Sequence, residues 1–276
     1  TATSRPASSR PDPGTGVPAT LVFDIETVPD ARGIREVYEL DPVLSDHEAV
    51  EIARQRRRAA AGHDFMPLHL QKVVAISCVL REGTHLRVWS IGQGDDERDL
   101  IQRFFDGLER YTPQLVSWNG AGFDLPVLHY RALVHGVVAS RYWDLGDADF
   151  PDSRDFKFNN YISRYHMRHL DLMDLLALYQ PRNAVPLDQM EKLMVLPGKM
   201  GMDVSQVWYA YHAGALQAIR DYCETDVLNT WLVFLRFQMM RGAIEPEQHA
   251  AECAITRDWL LRQIQPHWQA FLERWK

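Results

Sequence analysis

Leu21-Val22-Phe23-Asp24-Ile25-Glu26-Thr27 is an apolar run, rich in β-branched and aromatic side chains, that carries two carboxylates two residues apart near its end. Such a run reads as a buried strand. Successive strand side chains point to opposite faces, so Asp24 and Glu26 share one face. Two acids held side by side at a strand end repel each other and lose hydration, and a divalent cation is the usual compensation. The stretch admits two readings. One is a metal site; the other is a strand end running into a solvated turn over Thr27-Val28-Pro29-Asp30, with both acids facing water. A single short pattern needs its context before either holds.

Composition narrows the classes. The 276 residues are 46% hydrophobic and 24% charged, an ordinary globular balance with enough chain for a large core. No apolar run approaches the ~20 residues of a membrane-spanning helix, and the Pro-, Ser- and Arg-rich N-terminus lacks the apolar centre of a secretory signal. A soluble, cytoplasmic protein with no membrane partner is expected. Cys78, Cys223 and Cys253 are odd in number and lack CxxC spacing, which disfavours a disulfide framework and a structural zinc site and leaves them as core thiols. A net charge of −7 argues against a protein that coats nucleic acid in bulk. It does not argue against an enzyme whose acidic site holds metals and whose phosphate contacts are local.

Outward from the opening strand, residues 1–19 are rich in chain breakers and poor in apolar side chains, and read as a flexible tail. Residues 32–70 read as an insertion. Ser45 followed by Glu48 signals a helix start, and Arg54, Arg56, Arg57 and Arg58 on that helix form either a solvated face or a phosphate-contacting arm. Residues 72–80 and 84–91 are two strands joined through Gly83, and residues 95–111 carry apolar side chains at helical spacing. The next strand, residues 114–119, runs into Asn119-Gly120-Ala121-Gly122-Phe123-Asp124 and then a helix with Pro126 in its first turn. Asp124 thus stands at a strand-to-helix junction, as a plain N-cap or as a third acid beyond a strand end, where ligands gather in sheets flanked by helices.

Residues 141–168 interleave basic and aromatic side chains, an arrangement that holds phosphates and stacks on bases, or an ordinary surface loop; Arg164 and Arg168 are the phosphate-contact candidates. His169 to Leu176 reads as a short last strand entering a helix, with Asp171 and Asp174 either near the site or capping that helix. Two long helices are expected over 216–240 and 246–275. In the first, Tyr222 and Asp226 are four residues apart and so share a face.

Asp-x-Glu on a first strand, a strand-end Asp about a hundred residues later and Tyr-x-x-x-Asp on a helix another hundred on resemble, in that order, the DEDD superfamily of 3′–5′ exonucleases. Phe23-Asp24-Ile25-Glu26-Thr27 resembles the first motif, Asn119 to Asp124 the second, and Tyr222-Cys223-Glu224-Thr225-Asp226 the third, in the branch that places Tyr four residues before the last Asp. Glu26-Thr27-Val28-Pro29 and the insertion after it resemble most the predicted exonucleases related to the proofreading domain of B-family DNA polymerases. The resemblance implies an α/β, ribonuclease H-like fold in one domain, residues 20–276: a mixed five-stranded sheet, three antiparallel strands then parallel ones, flanked by helices, with extra helical structure over 245–275. It implies a site of Asp24, Glu26, Asp124, Tyr222 and Asp226 with two Mg²⁺ or Mn²⁺ ions. Asp24 would be shared by both ions, Glu26 would face the attacking water, Asp124 would act through ordered water, and Tyr222 would orient or help deprotonate the nucleophile. Thr27, Asn119 and Phe123 would line the substrate path.

The expected activity is 3′–5′ hydrolysis of single-stranded DNA or DNA 3′ ends, alone or beside a replication or repair protein. An exoribonuclease with the same site is the alternative on substrate; a non-catalytic nucleic-acid-binding module is the alternative on class, and its mark would be a missing acid. The helices after the third motif read as packing helices, so no polymerase domain is expected in this chain.

Overall fold

The computed structural model describes residues 19–276 apart from Asp95 and Asp203 and the side chains of Val204 and Ser205, so the tail expected over 1–19 lies, save Ala19, outside the described residues. The first strand, β1 (Thr20–Pro29), is followed by α1 (Ala31–Tyr38) and α2 (Asp46–Ala61), then by β2 (Gln71–Glu82), β3 (His85–Ser90), α3 (Glu97–Tyr111), β4 (Gln114–Ser117) and α4 (Asp124–His135). A one-turn helix, α5 (Ser153–Phe156), precedes β5 (His169–Asp171), α6 (Leu172–Leu176), α7 (Leu187–Leu193), α8 (Val204–His212), α9 (Leu216–Met240), α10 (Pro246–Leu261) and α11 (Pro266–Arg274). The sheet order is β3-β2-β1-β4-β5; the first three strands are antiparallel neighbours and β1, β4 and β5 run parallel. That is the mixed five-stranded sheet expected from the sequence.

Period two sorts β1 between two cores. Leu21, Phe23 and Ile25 pack with Ile101, Phe104 and Leu128 on the α3 and α4 side. Val22 packs with Val116, Val227 and Trp231 on the α9 side, so Asp24 and Glu26, in phase with Val22, are directed at α9 as well. Around Val28, a third cluster takes in Ile34, Val50, Trp208, Ile219 and Cys223, which seats the insertion and α8 over the far end of β1.

β1 pairs with β4 only from Thr20 to Val22, whereas its pairing with β2 continues to Pro29 through an irregularity between Glu26 and Thr27. Beyond Val22 the two parallel strands part, and the backbone of Asp24 to Thr27 has no β4 neighbour. A bulge at such a point re-aims side chains next to a site. The end of β1 is held by buried Arg131 of α4, whose guanidinium reaches Asp30 and Glu97, both at 2.6 Å.

Within the insertion, Ser45 and Glu48 make the reciprocal capping box that the sequence signalled. α1 precedes it, inside a span where no helix was expected. The single helix expected over 246–275 is two. Pro266 cannot donate to a continuing helix and biases Gln265 toward extended backbone, so α10 ends and α11 starts with proline in its first turn.

Candidate functional site

Where β1 and β4 part, a cleft of about 1090 Å³ opens, lined by Asp24, Glu26, Thr27, Asn119, Phe123, Asp124, Tyr222 and Asp226 together with Arg54, Phe65, Lys199 and Trp208. Three segments far apart in sequence thus reach one cleft. The ligating atoms of Asp24, Glu26 and Cys223 lie within 4.8 Å of one another. Glu26, Asp124, Tyr222 and Asp226 are buried and Asp24 is partly so.

The second segment is shaped by its glycines and by Asp171. Asn119 sits at a left-handed φ of 66°. The Asp171 carboxylate accepts from the Asn119 N–H at 3.0 Å and the Ala121 N–H at 2.9 Å, and also caps α6. A Cβ on Gly120 would lie 2.3 Å from Ser117 Oγ, so no larger residue fits the turn without displacing its neighbour. With the loop so held, Asp124 is the first residue of α4 and its Oδ1 accepts the N–H of Ile25 at 3.1 Å. It is therefore not a plain N-cap: it fills the gap left by the parting strands and supplies the partner that β4 does not.

The third segment is one face of α9. Tyr222 and Asp226 both turn into the cleft and act on each other's ionisation, and among the described residues neither Tyr222 Oη nor Asp226 Oδ1 has a hydrogen-bond partner of regular geometry. Between them Cys223 donates its thiol to Asp24, at 3.5 Å to the carbonyl and 3.7 Å to Oδ2.

Burial first, then repulsion from Asp124, Glu26 and Asp226, holds the Asp24 carboxyl well above the usual carboxylate range. Burial and Asp226 raise Glu26 as well, against the attraction of Lys199. Asp124 is pushed up to about 7, by burial and then the charge of Asp171, while the Ile25 N–H opposes the shift. Asp226 is pushed up to about 6 by burial, with Lys199 opposing. Burial raises the Tyr222 phenol far above its usual value, with Asp226 and Glu26 adding to the shift.

Four desolvated carboxylates, one with an unpartnered oxygen, are a donor set that a hard divalent cation fits: the ligands are oxygens, and the charge they lack is positive. The Cys223 thiol is not part of that set. Burial raises it well above its ordinary value and it serves as a donor to Asp24.

Two of the residues expected from the sequence lie elsewhere. Arg164 and Arg168 do not line the cleft. Arg164 is paired with Asp174 at 2.6 Å and lies over the Tyr179 ring, while Arg168 donates to the Asn159 carbonyl at 2.6 Å and stacks on Phe156. Of the basic cluster on α2, Arg54 reaches the cleft, paired with Glu51 and lying over Trp208. Arg56, Arg57 and Arg58 bind the insertion to itself, through Tyr38 O, Phe65 O and Asp64.

Two residues escaped the sequence reading. Lys199 faces Glu26, Asp226 and Glu191, and its ammonium lies 5.6 Å from the centre of the Tyr222 ring. Glu191 is fully buried, with neither oxygen partnered among the described residues, and burial and Asp226 push it up to about 8. The only local signal for Lys199 was its place beside Gly198 in a breaker-rich loop.

A family model described as predicted 3′-5′ exonuclease related to the exonuclease domain of PolB matches residues 63–275. The matched span begins after β1, so Asp24 and Glu26 join the site on the strength of the geometry. No curated protein matches the chain. Among solved structures, the family B DNA polymerase from the hyperthermophilic archaeon Pyrobaculum calidifontis is similar over 80% of this chain and 24% of that one, at 18% identity and a TM-score of 0.49. The chain therefore spans about a quarter of that polymerase's length. The family match covers well over half of the chain, which belongs to the predicted 3′-5′ exonucleases related to the exonuclease domain of PolB.

Proposed function

We propose that the cleft hydrolyses phosphodiester bonds at the 3′ end of single-stranded DNA or of an opened DNA end. The observation that carries this reading is the convergence of Asp24, Glu26, Asp124 and Asp226, from three separated segments, on one cleft that also holds Tyr222. A module that only bound nucleic acid would gain nothing from four buried carboxylates that repel one another and repel phosphate.

Asp24, Glu26, Asp124 and Asp226 would hold the cations, and the charge of each of the other three carboxylates acts on Asp24. Two Mg²⁺ or Mn²⁺ ions, when bound, supply an activated water and stabilise the departing 3′ oxygen. Tyr222, a neutral phenol inside the cleft beside Asp226, would orient that water by hydrogen bonding. Lys199 lines the cleft and offsets the negative charge of Asp226 and Glu26, and would offer its ammonium to a substrate phosphate. Thr27 donates to Gln71 Oε1 at 3.1 Å and, with Asn119 and Phe123, lines the path of the strand. The three cysteines are free, two of them buried, as suits a reducing, cytoplasmic setting.

The test is incubation of the purified protein with end-labelled single-stranded DNA and RNA in Mn²⁺, beside Asp24→Ala and Tyr222→Phe. Stepwise loss of 3′ nucleotides from DNA that disappears in Asp24→Ala is expected. Activity that survives Asp24→Ala would refute the site, and faster digestion of RNA would replace the substrate.

A further inference from the structure

On the face of α9 turned away from the cleft, three side chains meet that the exonuclease reading does not use. Asp221 and Glu224 stand three residues apart on α9 and so share one side of the helix. At about 100° per residue, that side lies roughly 150° around the helix from the one carrying Tyr222 and Asp226. His267 comes to the same place from the first turn of α11, and none of the three residues lines the cleft. One ligand atom from each of Asp221, Glu224 and His267 lies within 4.8 Å of the other two.

The imidazole stands between the two acids, with Nε2 3.0 Å from Glu224 Oε2 and Nδ1 3.5 Å from Asp221 Oδ1. Ligand atoms held at ~2.0–2.1 Å by a tetrahedral zinc lie roughly 3.3 Å from one another, so these separations are of the right size. The ring is fixed from one side by Trp268, which is buried in the core beneath α9 and whose ring centre is 4.4 Å away. Each carboxylate is fixed as well. Ser90 Oγ donates to Glu224 Oε1 at 2.8 Å, and Gln217 Nε2 donates to Asp221 Oδ1 at 2.7 Å. Outer partners of this kind hold metal ligands in place. Two further observations call for a cation. The His267 side chain is 11% exposed, and its Nδ1 is buried without a hydrogen bond of regular geometry among the described residues. Among those residues neither acid pairs with a lysine or arginine, and Arg220, next to Asp221, gives its guanidinium to the carbonyls of Gln93 and Gly94.

We propose that Asp221, Glu224 and His267 bind a zinc ion that clamps α11 to α9 beside the end of β3. The site is separate from the cleft and does not rest on the exonuclease reading. Its imidazole sets its preference: four carboxylates suit hard Mg²⁺ or Mn²⁺, whereas a nitrogen ligand beside two oxygens favours zinc, and no cysteine is needed. Whichever ring nitrogen takes the ion, the other keeps a carboxylate to donate to, which orients a ligating histidine. Three protein ligands leave the fourth position to water, and Asp221, 31% exposed, opens the site to solvent. An ion bound there joins the helix that carries the third motif to the last helix of the chain.

The test is a titration of Zn²⁺ into the metal-free full chain carrying Asp24→Asn, which weakens the cleft as a competitor, alone and combined with His267→Gln or Asp221→Asn. Calorimetry, melting temperature and the ¹⁵N shifts of the histidine rings are followed, and melting in EDTA shows whether each variant is folded. The Asp24→Asn protein should bind zinc, melt at a higher temperature with it, and shift the ring signal that is missing from the His267→Gln spectrum. His267→Gln and Asp221→Asn should each bind that zinc at least about 10-fold more weakly, since loss of an outer partner alone costs ~10–100-fold, and should gain little in melting temperature. Should one variant fail to fold, the other and the ring shift still decide. Zinc affinity unchanged by either substitution, or a His267 ring signal that zinc does not move, would overturn the site and leave a histidine ion-paired with two acids. Either result leaves the exonuclease reading of the cleft as it stands.

Discussion

Replacing Asp171 by alanine should cost the protein its site before it costs the protein its fold. The Asp171 carboxylate accepts three backbone N–H groups: Oδ1 accepts from the Asn119 N–H at 3.0 Å and the Asp174 N–H at 3.2 Å, and Oδ2 from the Ala121 N–H at 2.9 Å. Loss of the α6 cap costs about 1 kcal/mol. Loss of an acceptor for the two loop amides costs ~1.5–3 kcal/mol for each that stays dry. Ala121 is exposed, so water replaces one partner, and the sum is about 2.5–4 kcal/mol. The second effect concerns geometry. Without its anchors the left-handed Asn119 relaxes, and Asp124 loses the fixed backbone that aims it at the Ile25 N–H.

Chemical denaturation of wild type, Asp171→Ala and Asp171→Asn measures the first effect, and single-turnover digestion of a 3′-labelled oligonucleotide the second. Asp171→Asn keeps Oδ1 but turns an amide donor toward the Ala121 N–H, so it should lose about 1–2 kcal/mol. Both variants should lose at least 10-fold in rate under conditions where they remain folded. An Asp171→Ala protein with wild-type stability and rate would refute the idea that this carboxylate positions the second motif.

Three further outcomes follow from local geometry. His169 is buried beside Ser117 Oγ at 2.9 Å, and burial lowers its pKa to about 4. Because the folded value lies below the ~6.5 of an unfolded histidine, its contribution is complete above pH ~6.5 and is lost as pH falls toward 4, by about 3 kcal/mol. His169→Gln should remove that part of the acid destabilisation in a denaturation series from pH 7.5 to 4. Parallel curves for the two proteins would contradict it. Gly120→Ala forces a Cβ to within 2.3 Å of Ser117 Oγ and should cost about 1–3 kcal/mol, whereas Gly107→Ala in α3, where nothing lies within 4 Å, should gain about 0.5–1 kcal/mol, both by thermal melting. Phe23 against Phe104 supports β1 from the opposite face, and Phe104→Ala should cost about 3–5 kcal/mol by the same measurement while leaving the cleft-lining residues in place.

The strands and their acids were legible in the sequence because they obey short periods. Asp24 and Glu26 announce a shared face by their spacing, and Tyr222 and Asp226 do so on a helix. The capping box at Ser45 is equally local. Other features depend on where distant segments meet. Lys199 and Glu191 reach Asp226 from a loop and a short helix, and no short spacing in the sequence ties either of them to Asp226. Arg168 looks like a free phosphate ligand in sequence, yet the hydrogen bond to Asn159 O and the Phe156 ring occupy it. Phe65 sits in a stretch with no regular structure, and only the fold shows that it faces Phe123. The break between α10 and α11 was readable: Pro266 marks it, and the apolar pattern that continues across Pro266 concealed it.

The most direct test of the central claim is a calorimetric titration of Mn²⁺ into metal-free wild type and Asp24→Asn, with melting temperature followed at each concentration. If the four carboxylates form one cation site, wild type binds two ions and is stabilised by about 2.7 kcal/mol per ion at a hundred times the dissociation constant, and Asp24→Asn loses the binding and most of that gain. Equal binding by the two proteins, or no binding to wild type, would contradict it.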